Sequence, residues 1–110
     1  MDKADKTNSE MDKRGALKIA KFFLRGLPKK YSTKKAYLFG SYAKGTAHSD
    51  SDIDIALILP ECENLFDVRV GLMQISRKID LSIEPHPMAE EDFEEGNPLA
   101  EEIKKYGILL

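Results

Sequence analysis

Apolar residues recur at helical spacing early in the chain: Ala16, Leu17, Ala20, Phe23, Leu24 and Leu27 share one side of a 3.6-residue period. They predict a first helix that Pro28 terminates. Thr7 and Glu10 stand at capping-box spacing and set its start near Thr7, leaving residues 1–8 as a flexible N-terminal segment. Residues 36–39 then form an apolar run stopped by Gly40, the pattern of a short buried strand. A loop rich in Gly, Ser, Thr and Ala spans residues 40–51 and leads into a second strand over residues 52–59, closed by Pro60.

Asn64 is placed to cap a second long helix whose inward face is Leu65, Val68, Leu72, Ile75 and Ile79. Ile79, Leu81 and Ile83 alternate with Asp80, Ser82 and Glu84, which predicts a half-buried strand with one polar face. Asn97-Pro98 opens a last helix, with Lys104 and Lys105 in its final turn and Gly107 as its stop. The order helix, strand, strand, helix, strand, helix describes an α/β (α+β) fold. It is expected to be one domain over residues 1–110, a small mixed sheet with helices on one face and the other face open as a site.

Composition narrows this picture. At 110 residues the chain supports a single core, and 42% apolar with 33% charged residues marks a globular protein, not a disordered one. The longest uncharged apolar run, residues 55–59, is too short to span a bilayer. The N-terminus is charged throughout and lacks the apolar stretch of a secretory signal. Cys62 is the only cysteine, which excludes an internal disulfide or a cysteine metal cluster and suits a loop thiol in the reducing cytoplasm. Residues 1–44 carry twelve Lys/Arg and four Asp/Glu, whereas residues 45–110 carry five and fifteen. Such a split allows a basic approach surface beside a carboxylate-rich, cation-holding site, or simply two solvated helix faces.

The chemistry concentrates in residues 38–54. On a strand, Asp52 and Asp54 would point to the same side, roughly 6.5–7 Å apart. Two carboxylates beside the buried run 55–59 repel each other and lose solvation unless a cation compensates. Oxygen-only ligands select Mg²⁺ or Mn²⁺, and a carboxylate pair at this spacing can bridge two ions about 3.5–4 Å apart, the arrangement of in-line phosphoryl displacement. Gly40-Ser41, directly after a strand, lets the backbone turn and approach an anion, with the Ser41 hydroxyl and nearby amides holding phosphate oxygens. Lys44 is close enough in sequence to assist. Gly-Ser alone is usually a turn, and Asp-x-Asp alone is usually a loop or cap. Their combination at this spacing arises by chance in about one 100-residue chain per thousand.

The spacing Gly-Ser-x10-Asp-x-Asp resembles the signature of the polymerase-β-like nucleotidyltransferase superfamily, and size and layout resemble its minimal, antitoxin-type branch, the partners of HEPN-domain proteins. The resemblance implies that Gly40 and Ser41 hold a triphosphate, that Asp52 and Asp54 bind two metal ions, and that a third carboxylate comes from a later strand. Asp80 is the matching position, with Glu84 in reserve on the same predicted face. The implied reaction is transfer of AMP from ATP to a hydroxyl, with Mg²⁺ as cofactor and a HEPN-type toxin as acceptor. The loop departs from the family pattern in having Lys44 where an arginine is common, and lysine lacks the bidentate fork. Larger relatives close the site with a further domain, so here a partner chain or a second copy has to supply those walls.

Two other function classes compete. A non-catalytic subunit of the same fold would need none of the three carboxylates, and transfer to a small molecule belongs to larger enzymes. A nucleic-acid-binding module is opposed by a pI near 5.7 and supported only by the basic first half. Lys29, Lys30, Lys34 and Lys35 lack interleaved aromatics of the kind that bind single strands. His48 is expected as an exposed loop residue, His86 between two prolines as a turn residue, and the acidic run 90–95 as solvated surface.

Overall fold

The computed structural model describes the backbone of residues 2–61 and 64–110, with side chains from residue 13 onward. The Thr7–Glu10 capping pair and Cys62 lie outside the described residues. Helix α1 (Asp2–Arg25) buries Ala16, Ala20 and Phe23 at the heart of the core, with Leu17, Leu24 and Leu27 packed around them. It begins earlier than Thr7. Residues 2–6 contain neither Gly nor Pro that would stop the helix. Its last turn closes at Gly26, whose N–H donates to the carbonyls of Phe22 and Phe23 at 3.2 Å each.

Four strands follow: β1 (Lys35–Phe39), β2 (Ile53–Leu59), β3 (Ile83–Ala89) and β4 (Ile108–Leu109), in the order β3-β2-β1-β4. β1 runs antiparallel to both β2 and β4, and β2 runs parallel to β3, so the sheet is mixed as expected. The parallel pair is joined by α3 (Leu65–Arg77), which Asn64 caps by accepting the Asp67 N–H at 3.2 Å. β4 adds a strand that the sequence pattern did not announce, held by pairing with Tyr37 and Leu38.

One face of the sheet, lined by Leu38, Ile53, Ile55, Leu57 and Ile83, carries the two long helices, α1 and α3. On the other, Phe39, Ala56, Ile58 and Met88 are covered by the short helices α4 (Glu90–Glu95) and α5 (Pro98–Tyr106), through Phe93, Ala100 and Ile103. Asn97 caps α5 by accepting the Ala100 N–H at 2.9 Å. The acidic run is thus helical, with Phe93 inward and its carboxylates largely exposed. The short helices leave Asp54, Glu84 and His86 half-buried at one end of this second face. Among the described residues no helix is long and apolar enough to cross a membrane.

The third strand corrects the sequence reading. Residues 79–82 form a turn, and the strand begins only at Ile83. The N–H groups of Ile79 and Asp80 both donate to the Ser76 carbonyl, and Asp80 Oδ1 accepts the Ser82 N–H at 2.8 Å. A short polar side chain that bonds its own backbone two residues on favours a turn over a strand, and this outweighs the period-2 pattern. β3 instead contains Pro85 and Pro87, residues that argue against a central strand. It is an edge strand. Ile53 donates its N–H to Ser82 O and pairs with Ile83, so the even-numbered residues of β3 face the ladder with β2 and the odd-numbered ones face outward. Both prolines stand at outward positions, where no ladder bond is lost and the open edge is denied two donors.

Candidate active site

β1 delivers Gly40 at its end, and β2 begins opposite. Phe39 pairs with Asp54, and on the other side Asp54 pairs with Glu84. In-register neighbours point to the same face, so Asp54 and Glu84 lie side by side, their backbones about 4.8 Å apart. One pleat further along, Ala56 pairs with His86, which places His86 on that face too. A one-turn helix, α2 (Ser41–Lys44), starts directly after Gly40.

Gly40 has φ 76° and ψ −154°, a region essentially restricted to glycine. The conformation turns the chain out of β1 and brings its Cα against the Asp54 carboxylate: a Cβ at this position would collide with Asp54 Oδ2. Glycine is therefore required here twice, by the backbone and by the neighbour. Asp54 Oδ1 lies 3.1 Å from His86 Nε2, and the His86 ring meets Phe39 edge-on with centroids 5.0 Å apart. Glu84 Oε1 lies 3.4 Å from Arg69 of α3. With side chains 49% and 31% exposed, that pair contributes only about 0–1 kcal/mol, too little to hold Glu84 away from a divalent cation.

The sequence-predicted residues are thus not all gathered. Gly40, Ser41 and Asp54 meet at one end of β1 and β2. Asp52 lies just ahead of β2, exposed, after a turn in which the Ser51 hydroxyl accepts the His48 N–H and His48 Nδ1 accepts the Asp50 N–H. His48 is exposed, as expected. Asp80 is not on the strand beside Asp54, because its carboxylate closes the turn before β3. Glu84 occupies the in-register position instead. Lys44, expected at phosphate, has its ammonium 3.5 Å from Glu102 Oε2 and 5.2 Å from the Tyr106 ring centre, both on α5. His86 was missed: between two prolines it reads as a turn, and only the strand pairing brings it to Asp54.

Comparison with known proteins gives the family and the fold. Residues 18–110 match the nucleotidyltransferase domain family. No curated protein gives a significant match. Among solved structures, a candidate nucleotidyltransferase from Sulfolobus solfataricus is similar at 24% identity and TM-score 0.67, over 93% of this chain and 85% of that one. A toxin–antitoxin structure with AMP-PNP is similar at 28% identity and TM-score 0.58, over 86% and 70%. A variant of the MntA-HpeT toxin–antitoxin, in which two aspartates two positions apart are replaced by glutamate, is similar at 26% identity and TM-score 0.57, with the same coverage. With the family matched over most of its length and the Gly-Ser and Asp-x-Asp segments inside the match, the chain belongs to the nucleotidyltransferase domain family.

Proposed function

We propose that this protein transfers AMP from ATP to a hydroxyl of a partner protein, acting as the antitoxin of a HEPN-type toxin. The observation that carries the site is the close approach of Gly40 to Asp54 with Glu84 in register beside it. A phosphate-turn glycine and two carboxylates share one end of one sheet face. The AMP-PNP of one toxin–antitoxin neighbour supports an adenine nucleotide as donor, and the paired aspartates altered in another support the Asp-x-Asp assignment. The HEPN class of the partner rests on the resemblance in size and layout.

Asp52, Asp54 and Glu84 would hold two Mg²⁺ ions, for which Mn²⁺ can substitute, because all their donors are oxygens. Among the described residues no three His, Cys, Asp or Glu side chains already surround one point. Nucleotide phosphates complete the ligand set, the usual situation for Mg²⁺. When bound, such ions neutralise phosphate charge and favour the alkoxide form of the acceptor. Gly40 and Ser41 hold phosphate oxygens. The acceptor oxygen attacks the α-phosphorus in line, the bond from that phosphorus to the bridging oxygen breaks, pyrophosphate departs and the hydroxyl proton passes to solvent. This reading moves the third carboxylate from Asp80 to Glu84, and the exposed Lys44–Glu102 contact, also worth only about 0–1 kcal/mol, leaves Lys44 available to a phosphate.

Thermal unfolding tests the site. Mg²⁺ with ATP is expected to raise the melting temperature more than ATP alone, since a ligand at a hundredfold excess over its Kd stabilises the folded state by about 2.7 kcal/mol. Asp52→Asn/Asp54→Asn is expected to lose the metal-dependent part. An unchanged metal-dependent shift in that variant would remove the pair from the site. Tight partner binding without any AMP transfer would favour the non-catalytic subunit instead.

A further inference from the structure

We propose that His86 is a positioning residue that fixes the Asp54 carboxylate for metal binding, an inference that rests on the metal reading of Asp54 given above. Asp54 is restrained at both oxygens. Oδ2 packs over Gly40, where even a methyl group would not fit, and Oδ1 faces His86 Nε2 at 3.1 Å. A carboxylate only accepts hydrogen bonds, so Nε2 is the nitrogen that carries the proton and donates. The imidazole is itself held: it stands on β3 opposite Ala56, and its ring meets Phe39 edge-on at 5.0 Å. The two side chains are 22% and 24% exposed, so water competes weakly for the bond.

Each carboxylate oxygen has more than one lone-pair direction, and one bond to His86 leaves the others open. With its orientation set before an ion arrives, Asp54 loses little side-chain freedom on binding. Partners that orient a ligand in this way typically contribute ten- to a hundredfold to metal affinity. The competing explanation is that His86 only packs against Phe39. In that case any side chain filling the same space would serve equally well.

Two amides separate these explanations. His86→Gln places a donor near the Nε2 position, whereas His86→Asn withdraws it by about one bond and remains polar. Mn²⁺ alone is titrated into wild type, both variants and Asp54→Asn, with bound metal read by electron paramagnetic resonance and folding by melting temperature. The expected result is that His86→Asn binds Mn²⁺ at least about tenfold more weakly than wild type. His86→Gln is expected to stay within about threefold, with both variants melting within a few degrees of each other. If Asp54→Asn loses Mn²⁺ while His86→Asn binds like wild type, the positioning role is overturned and the metal reading stands. Equal weakening in His86→Gln and His86→Asn overturns it as well, in favour of packing. Binding by Asp54→Asn equal to wild type removes the metal reading, and the role of His86 with it.

Discussion

Gly40→Ala is expected to abolish AMP transfer, with a loss of at least about a hundredfold, because its new methyl group would have to occupy the space of the Asp54 carboxylate. The backbone adds to the effect. At φ 76° and ψ −154° a residue other than glycine costs about 1–3 kcal/mol, so the variant should also melt at a lower temperature. A misplacement of about 1 Å is enough for a hundredfold loss in rate. Ser41→Ala separates the two roles of the turn. It introduces no collision, should keep the melting temperature, and should weaken nucleotide binding about tenfold, as loss of a hydrogen bond to a charged group does. The measurement is the rate of labelled AMP transfer together with the melting temperature of each variant. Transfer by Gly40→Ala at the wild-type rate would mean that Asp54 is not where the chemistry happens.

Glu84→Gln and Asp80→Asn are expected to behave oppositely, although both replace a carboxylate by its amide in one short segment. Glu84 stands in register with Asp54 on the same face, so its loss should slow transfer by at least about a hundredfold while nucleotide affinity changes far less. The amide keeps the shape of the side chain, and the Arg69 contact it weakens contributes little to stability. Asp80→Asn should leave transfer nearly intact. An asparagine can still accept the Ser82 N–H through its side-chain oxygen, so the turn before β3 survives. Single-turnover transfer to the partner protein, measured beside nucleotide binding, distinguishes the two. Equal activity of Glu84→Gln and wild type, with a large loss in Asp80→Asn, would return the third carboxylate to Asp80.

The amino-acid sequence by itself determined the three longer helices, α1, α3 and α5, and the motif. The period of Ala16, Ala20 and Phe23, the caps at Asn64 and Asn97, and Pro98 at the first turn of α5 are local signals, each acting within a few residues. Strands β1 and β2 were legible for the same reason, as short apolar runs stopped by Gly40 and Pro60. So was the spacing that leads from Gly40-Ser41 to Asp52 and Asp54, because the residues that carry it are close in sequence. Everything that depends on a partner strand was decided by the tertiary structure. The alternation at residues 79–84 looked like a strand until the Asp80 side chain closed a turn at its start, and His86 between Pro85 and Pro87 looked like a turn residue until an edge position made the prolines harmless. Glu84 and His86 follow Asp54 by 30 and 32 residues, and the parallel pairing of β2 with β3 sets them beside it. Lys44 likewise found its partners on α5, 58 and 62 residues away. Periodicity records which side of an element faces the core, but the register between two strands is fixed by the packing of both.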